Sequence, residues 1–158
     1  MKRVSDKLTI RETSEADIPE IFRLIRELAE YEKLDHTLSS DEQMLRKNLF
    51  GKDRYARVVL AEYEAKITGM ALFFYNFSTF KGKPGIFLED LFVRPEYRRK
   101  GIGKALLMYL IQLAKNDNFG RVEWAVLNWN QSAIDFYQSL GAKPMNDWII
   151  FRLEDDSF

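Results

Sequence analysis

Glu89-Asp90-Leu91-Phe92-Val93-Arg94-Pro95-Glu96-Tyr97-Arg98-Arg99-Lys100-Gly101-Ile102-Gly103-Lys104 is the stretch that decides how this chain folds. An apolar run passes into a basic, glycine-containing turn, and the turn passes into residues with helical spacing. Such a junction makes an anion site, because glycines let the backbone approach a ligand and first-turn N–H groups have no partner inside the helix. Gly-x-Gly also serves close packing in proteins that bind nothing. What favours phosphate is that Arg98, Arg99, Lys100 and Lys104 gather positive charge where those donors point. The spacing is neither a Walker loop nor a dinucleotide fingerprint: Gly103-Lys104 is followed by Ala105, and Gly-x-Gly-x-x-Gly breaks at Leu106.

Outward from this junction the chain alternates strands and helices. Leu8-Thr9-Ile10-Arg11 reads as a strand. Thr13 or Ser14 caps the helix that follows, with Glu15 and Asp17 in its first turn and Ile18, Ile21, Phe22, Ile25, Leu28 and Ala29 at helical spacing. A shorter helix is predicted after Ser39 or Ser40, using Met44, Leu45 and Leu49 and ending at Gly51. Residues 55–63 and 67–77 read as a hairpin turning at Glu64-Ala65-Lys66, and Lys81-Gly82-Lys83-Pro84-Gly85 breaks the pattern before a strand over 86–93. Apolar residues Ile102, Ala105, Leu106, Tyr109, Leu110 and Leu113 predict a helix over 101–115. A strand over 121–127, a helix over 130–140 stopped by Gly141, and a final strand over 148–153 complete the reading. The pattern implies an α/β or α+β sheet without giving the strand order.

At 158 residues, with no internal repeat or low-complexity linker, one domain spanning 1–158 is expected. Lys plus Arg and Asp plus Glu both number 24, so the formal net charge is zero, which argues against a general nucleic-acid or membrane footprint. The sequence has no cysteine, which excludes disulfides and a thiol nucleophile, and its single histidine argues against a zinc site. Met1-Lys2-Arg3-Val4-Ser5-Asp6 leads into charged residues and no apolar run has bilayer length, so a cytoplasmic protein is expected.

The motif Arg98-x-x-Gly101-x-Gly103 resembles the acetyl-coenzyme A pyrophosphate loop of the GNAT N-acetyltransferase superfamily. Three further segments, 87–98, Glu123-Trp124-Ala125-Val126-Leu127-Asn128-Trp129-Asn130 and Ala133-Ile134-Asp135-Phe136-Tyr137, resemble its diamine (spermidine/spermine) and thialysine acetyltransferase branch. The likeness runs from Ile10-Arg11 to Trp148. It implies a mixed, largely antiparallel sheet flanked by helices, with a local parallel strand pair that splays to admit the pantetheine arm. It also implies acetyl-CoA as acetyl donor and a homodimer, and with a single histidine in the chain no metal is expected.

Amide formation from a thioester needs an uncharged amine, a positioned electrophile, stabilisation of developing oxyanion charge and a proton for the departing thiolate. The resemblance assigns the pantetheine and thioester carbonyl to backbone groups of Leu91, Phe92 and Val93. It assigns the pyrophosphate to Arg98, Arg99, Lys100, Gly101, Ile102, Gly103 and Lys104. Tyr137 matches the family's general acid, and a phenol with a reference pKa of about 10 suits proton delivery to sulfur. Spacing alone also lets Phe136-Tyr137 serve as the apolar face of a helix. Glu89 is the catalytic and substrate-side carboxylate by resemblance. With a reference pKa near 4.3, capture of an ammonium and proton relay suit it better than direct abstraction. In a regular strand Asp90 points to the opposite face and is expected to be a structural hydrogen-bond or salt-bridge partner.

Asn130 matches a cofactor-contacting position and is equally placed to cap the next helix. Trp124, Trp129 and Trp148 are all readily explained by packing, and Trp148 also matches a substrate-side position in the polyamine branch. Tyr31, Glu32 and Glu89 match acidic or aromatic positions that recognise a polyamine, and His36 belongs to the surface or substrate rim. Departures narrow the substrate. Asn76-Phe77-Ser78-Thr79-Phe80-Lys81 lacks the acid of the vertebrate-type enzymes, and Asn146 stands where they are acidic. Fewer carboxylates favour a diamine, thialysine or a lysine-like amino acid over a longer polyamine. Arg99 replaces a small glycine in the loop, a change expected to alter its outer surface and not to abolish binding. An amino-acid or protein N-acetyltransferase, and a non-catalytic coenzyme A-binding protein, are the competing readings.

Overall fold

The computed structural model describes residues 2–157, which divide between Trp124 and Ala125 into two compact units. The first unit is built on a sheet whose strands lie in chain order: β1 (Lys2–Arg3), β2 (Leu8–Glu12), β3 (Arg57–Tyr63), β4 (Lys66–Ser78), β5 (Lys83–Val93) and β6 (Val122–Trp124). Neighbours are antiparallel except β5 and β6, which pair in parallel over Ile86↔Val122, Phe87↔Glu123 and Leu88↔Trp124. β5 continues to Val93, so the edge of residues 89–93 facing away from β4 has no strand partner among the described residues.

Both sheet faces are covered, which is why β3 and β4 read as nearly continuous apolar runs instead of alternating ones. On one face, α1 (Ile18–Glu32) and α2 (Glu42–Phe50) bury Ile18, Ile21, Leu24, Leu28 and Leu49 against Val58, Leu60, Met70, Leu72 and Phe92. α3 (Ile102–Asn116) packs on strands β2 to β6 and buries Ile102, Leu106, Leu107 and Leu110. Burying a side chain of this size contributes about 1.5–3 kcal/mol, so these layers set the geometry of the loops between them.

Two irregularities shape the sheet. Ala61 pairs with Gly69 and Glu62 with Ile67, leaving Thr68 as an extra residue whose buried hydroxyl donates to Ala61 O at 3.2 Å. Leu72 pairs with Asp90 and Phe73 with Leu88, so Glu89 is the extra residue of a bulge. Strict alternation across Glu89-Asp90 is therefore lost, and the opposite-face expectation for these two carboxylates does not apply.

Local caps explain the helix ends. The Asp17 carboxylate accepts from Ser14 N–H at 2.8 Å and from Arg11 at 2.7 and 2.9 Å, which holds its pKa below the usual range and ties the 3-10 turn Glu15–Asp17 to β2. α1 begins after that turn and ends at Lys33, whose φ of 60° is left-handed. The α2 cap is Asp41, accepting from Met44 N–H at 2.7 Å, and not Ser39 or Ser40. β5 starts at Lys83, earlier than the sequence pattern indicates, because Lys83, Pro84 and Gly85 already pair with β4.

The second unit contains α4 (Gln131–Ser139), capped by Asn130, whose Oδ1 accepts from Ala133 N–H at 3.3 Å. Phe136 and Tyr137 are half-buried and their ring centroids lie 5.3 Å apart. The strand expected over 148–153 is absent, and that over 121–127 is confined to β6. Trp148, Ile149, Ile150, Phe151 and Leu153 are 73–90% exposed with no partner strand within the unit, and a lone extended segment has nothing to receive its ladder hydrogen bonds. Among the described residues, no helix is long and apolar enough to cross a membrane.

Candidate active site

The loop from β5 to α3 has the properties that anion binding demands. After Val93 the chain makes a 3-10 turn, Pro95–Tyr97, then enters α3 through Arg99 (φ 62°) and Gly101 (φ 77°), both left-handed. From Arg99 through Lys104 no backbone N–H is donated to a backbone carbonyl among the described residues; Ala105 is the first to donate, to Gly101 O at 2.9 Å. Gly101 caps α3 without a side chain, and a Cβ there would meet nothing within 4 Å. Open donors, left-handed residues and the positive end of the helix dipole fit a diphosphate. Ile102 is buried, so only its backbone is available, whereas Gly103 is half-buried and Lys104 exposed.

The loop cations divide into distinct roles. Arg98 donates Nε to Val93 O at 3.0 Å and lays its guanidinium over the Tyr31 ring, 4.4 Å from the centroid. Lys100 lies over the rings of Tyr63 and Tyr97, at 5.0 and 5.3 Å, which fixes the loop to β3 and to its own 3-10 turn. Arg99 is exposed. Arg94 is not available to a ligand: it donates to both Glu27 oxygens and to Ile67 O at 2.8 Å, and pairs with Glu20 at 2.8 Å. That engagement takes Arg94 out of the loop's set of ligand-facing cations.

Leu91 and Val93 are half-buried on the part of β5 that β6 leaves unpaired, while the Phe92 side chain is buried in the core beneath α1. The unpaired edge offers main-chain groups, which is what a pantetheine arm requires.

This strand also carries an acidic group. Asp90 is half-buried and makes no hydrogen bond or ion pair among the described residues, so it is not the structural partner expected from the sequence. Burial first, then the charges of Glu89 and Glu32, push its pKa up to about 7. Burial also raises the pKa of Glu32, at the end of α1 beside Tyr31. Glu89, at the bulge, is exposed. The structure therefore brings Glu32, Glu89 and Asp90 within electrostatic reach and joins Tyr31 to Arg98. The only signal for Asp90 in the sequence was its adjacency to Glu89; its perturbation depends on burial that no local pattern encodes.

Asn130, Tyr137 and Trp148 belong to the second unit. The Asn130 Oδ1 is committed to the cap, which leaves its Nδ2 for other contacts. Trp148 is 73% exposed and Trp129 51%, so interior packing explains neither of them, whereas Trp124 is half-buried in β6. His36 is exposed in the 3-10 turn Asp35–Thr37, and among the described residues no three His, Asp or Glu side chains cluster as metal ligands would.

The sequence model of the acetyltransferase (GNAT) family matches residues 18–142. The chain is 37% identical to the thialysine N-epsilon-acetyltransferase of Bos taurus, covering 94% of this chain and 93% of that protein. It is 30% identical to the L-ornithine N5-acetyltransferase of Arabidopsis thaliana, covering 94% and 85%. Among solved structures, an aminoglycoside acetyltransferase from an uncultured soil metagenomic sample superposes with a TM-score of 0.79 at 25% identity, covering 96% of this chain and all of that one. With the loop, the parallel pair and these relatives in agreement, the chain belongs to the acetyltransferase (GNAT) family, in its diamine and thialysine branch, and is an acetyl-CoA-dependent N-acetyltransferase.

Proposed function

We propose that residues 1–158 act as a single GNAT domain, transferring an acetyl group directly from acetyl-CoA to a primary amine of a diamine, thialysine or lysine-like amino acid. The observation that carries this reading is Asp90: a half-buried carboxyl without a partner among the described residues, titrating near 7 beside Glu89 and Glu32. An amine substrate arrives as an ammonium ion and must lose a proton before it can attack. Glu32 and Glu89 attract the ammonium, and Asp90 has a proton affinity suited to receiving its proton near neutral pH. This gives Asp90 the accepting role and leaves Glu89 with substrate capture. Tyr31 and Trp148 supply aromatic surface to the alkyl chain.

When bound, acetyl-CoA supplies a thioester whose carbonyl carbon the amine attacks. The N–H groups of residues 99–104 and the Arg98 guanidinium hold its pyrophosphate, backbone groups of residues 91–93 align its pantetheine arm, and Asn130 adds a polar contact. Tyr137 donates a proton to the departing sulfur, so the amide forms as the carbon–sulfur bond breaks.

The short-amine preference is supported by the thialysine and ornithine substrates named for the similar enzymes and by the non-acidic residues 76–81 and Asn146. It is tested by measuring coenzyme A release, with acetyl-CoA fixed, across putrescine, thialysine, ornithine, lysine, spermidine, spermine and a lysine-containing peptide. Selective turnover of a short diamine or lysine-like amino acid is expected. Preference for the peptide would replace the small-amine reading with a protein acetyltransferase. Binding of acetyl-CoA without turnover of any amine would leave a coenzyme A-binding protein.

A further inference from the structure

We propose that Tyr31 is a positioning residue for the cofactor loop, its ring face holding the Arg98 guanidinium ready for the diphosphate of coenzyme A. The inference rests on the reading of residues 98–104 as the pyrophosphate site, and it adds to the substrate contact expected of Tyr31. Tyr31 lies in the last turn of α1, and Arg98 directly follows the 3-10 turn Pro95–Tyr97. Two restraints act on one guanidinium. Its Nε donates to Val93 O at 3.0 Å, and its Cζ lies over the Tyr31 ring, 4.4 Å from the centroid. The terminal nitrogens make no hydrogen bond or ion pair among the described residues, so the donors best suited to a phosphate oxygen stay open while the side chain is fixed. An exposed arginine without such restraints samples many rotamers, and ligand binding must then oppose the entropy of stopping it. Glu32 adjoins Tyr31 and acts electrostatically on Asp90, so one aromatic side chain borders both the amine rim and the cofactor loop.

The test is titration calorimetry of coenzyme A, without amine, into the intact chain and its variants. Tyr31→Phe keeps the ring face, and its affinity is expected to equal that of the unsubstituted protein. Tyr31→Leu keeps apolar bulk against the core but loses the ring; its affinity is expected to fall about two- to fivefold, the range of an exposed cation–π contact. In an Arg98→Ala background the same substitution is expected to cost nothing further. Melting curves establish that each variant is folded, and Tyr31→Met replaces Tyr31→Leu if the latter is not. Coenzyme A affinity untouched by loss of the ring, or reduced equally with and without Arg98, would overturn the inference and leave Tyr31 a substrate contact alone. Failure of the unsubstituted chain to bind coenzyme A would remove the site itself, an outcome distinct from the other two, and the inference with it.

Discussion

Arg94 grips Glu27 through two parallel hydrogen bonds, Nε to Oε2 and Nη2 to Oε1, each 2.8 Å long. The pair fastens α1 to the end of β5, and Arg94 also reaches Glu20 and Ile67 O. The groups are largely shielded, so removing one charge leaves the other poorly solvated. Arg94→Ala is expected to cost about 1–3 kcal/mol in urea denaturation, while Arg23→Ala, on an exposed arginine, costs less than about 1 kcal/mol. Equal effects would show that the clamp is not a structural joint.

The raised pKa of Asp90 has a direct consequence for stability. Its ordinary value of 3.8 applies in the unfolded chain and about 7 in the fold, so between these the folded state binds more protons. Stability contributed by the protonated carboxyl is therefore present below pH 3.8 and lost as pH rises through about 7. Asp90→Asn is expected to be more stable than the unsubstituted protein at pH 8, with the gap closing as pH falls towards 4. A gap independent of pH would contradict the assignment.

The role proposed for Asp90 also predicts the pH dependence of turnover. If Asp90 takes the proton from a captured ammonium, kcat/KM for the amine rises to about pH 7 and then levels. In Asp90→Asn only amine that is already neutral reacts, so the profile is expected to lie much lower and to keep rising through pH 9. Superimposable profiles would return the proton-accepting role to Glu89.

Gly69 lies opposite Val93 in the ladder, where a Cβ would come 2.5 Å from Phe92 O and 3.2 Å from Val93 Cα. Both are backbone atoms of the strand assigned to the pantetheine arm, so relief requires moving that strand. Gly69→Ala is expected to lower stability by about 1–3 kcal/mol in thermal or urea unfolding and to weaken coenzyme A binding in parallel.

The loop and its helix were legible in the sequence because their signals are local: basic residues and glycines between two apolar periodicities. α1, α3 and α4 follow from helical spacing for the same reason, and the Asn130 cap from its place before Gln131. Glu89 as a bulge residue was not legible, since a bulge is a property of pairing with Leu72 and Phe73, nearly twenty residues away in chain. The state of Asp90 is hidden from local pattern for a related reason: its protonation depends first on burial, then on Glu89 and on Glu32, far away in α1. The Arg98–Tyr31 cation–π contact likewise joins residues that only the tertiary fold brings together. Trp148 to Leu153 has the composition of a strand, but composition supplies no partner to pair with.

Direct acetyl transfer assisted by a phenolic acid is tested most directly by comparing Tyr137→Phe with the unsubstituted protein on its preferred amine, measuring kcat by coenzyme A release and coenzyme A affinity by calorimetry. Loss of the acid is expected to lower kcat by about 10²-fold or more while the dissociation constant for coenzyme A changes by less than about twofold. An unchanged kcat would contradict the account and leave Tyr137 as part of the apolar face of α4.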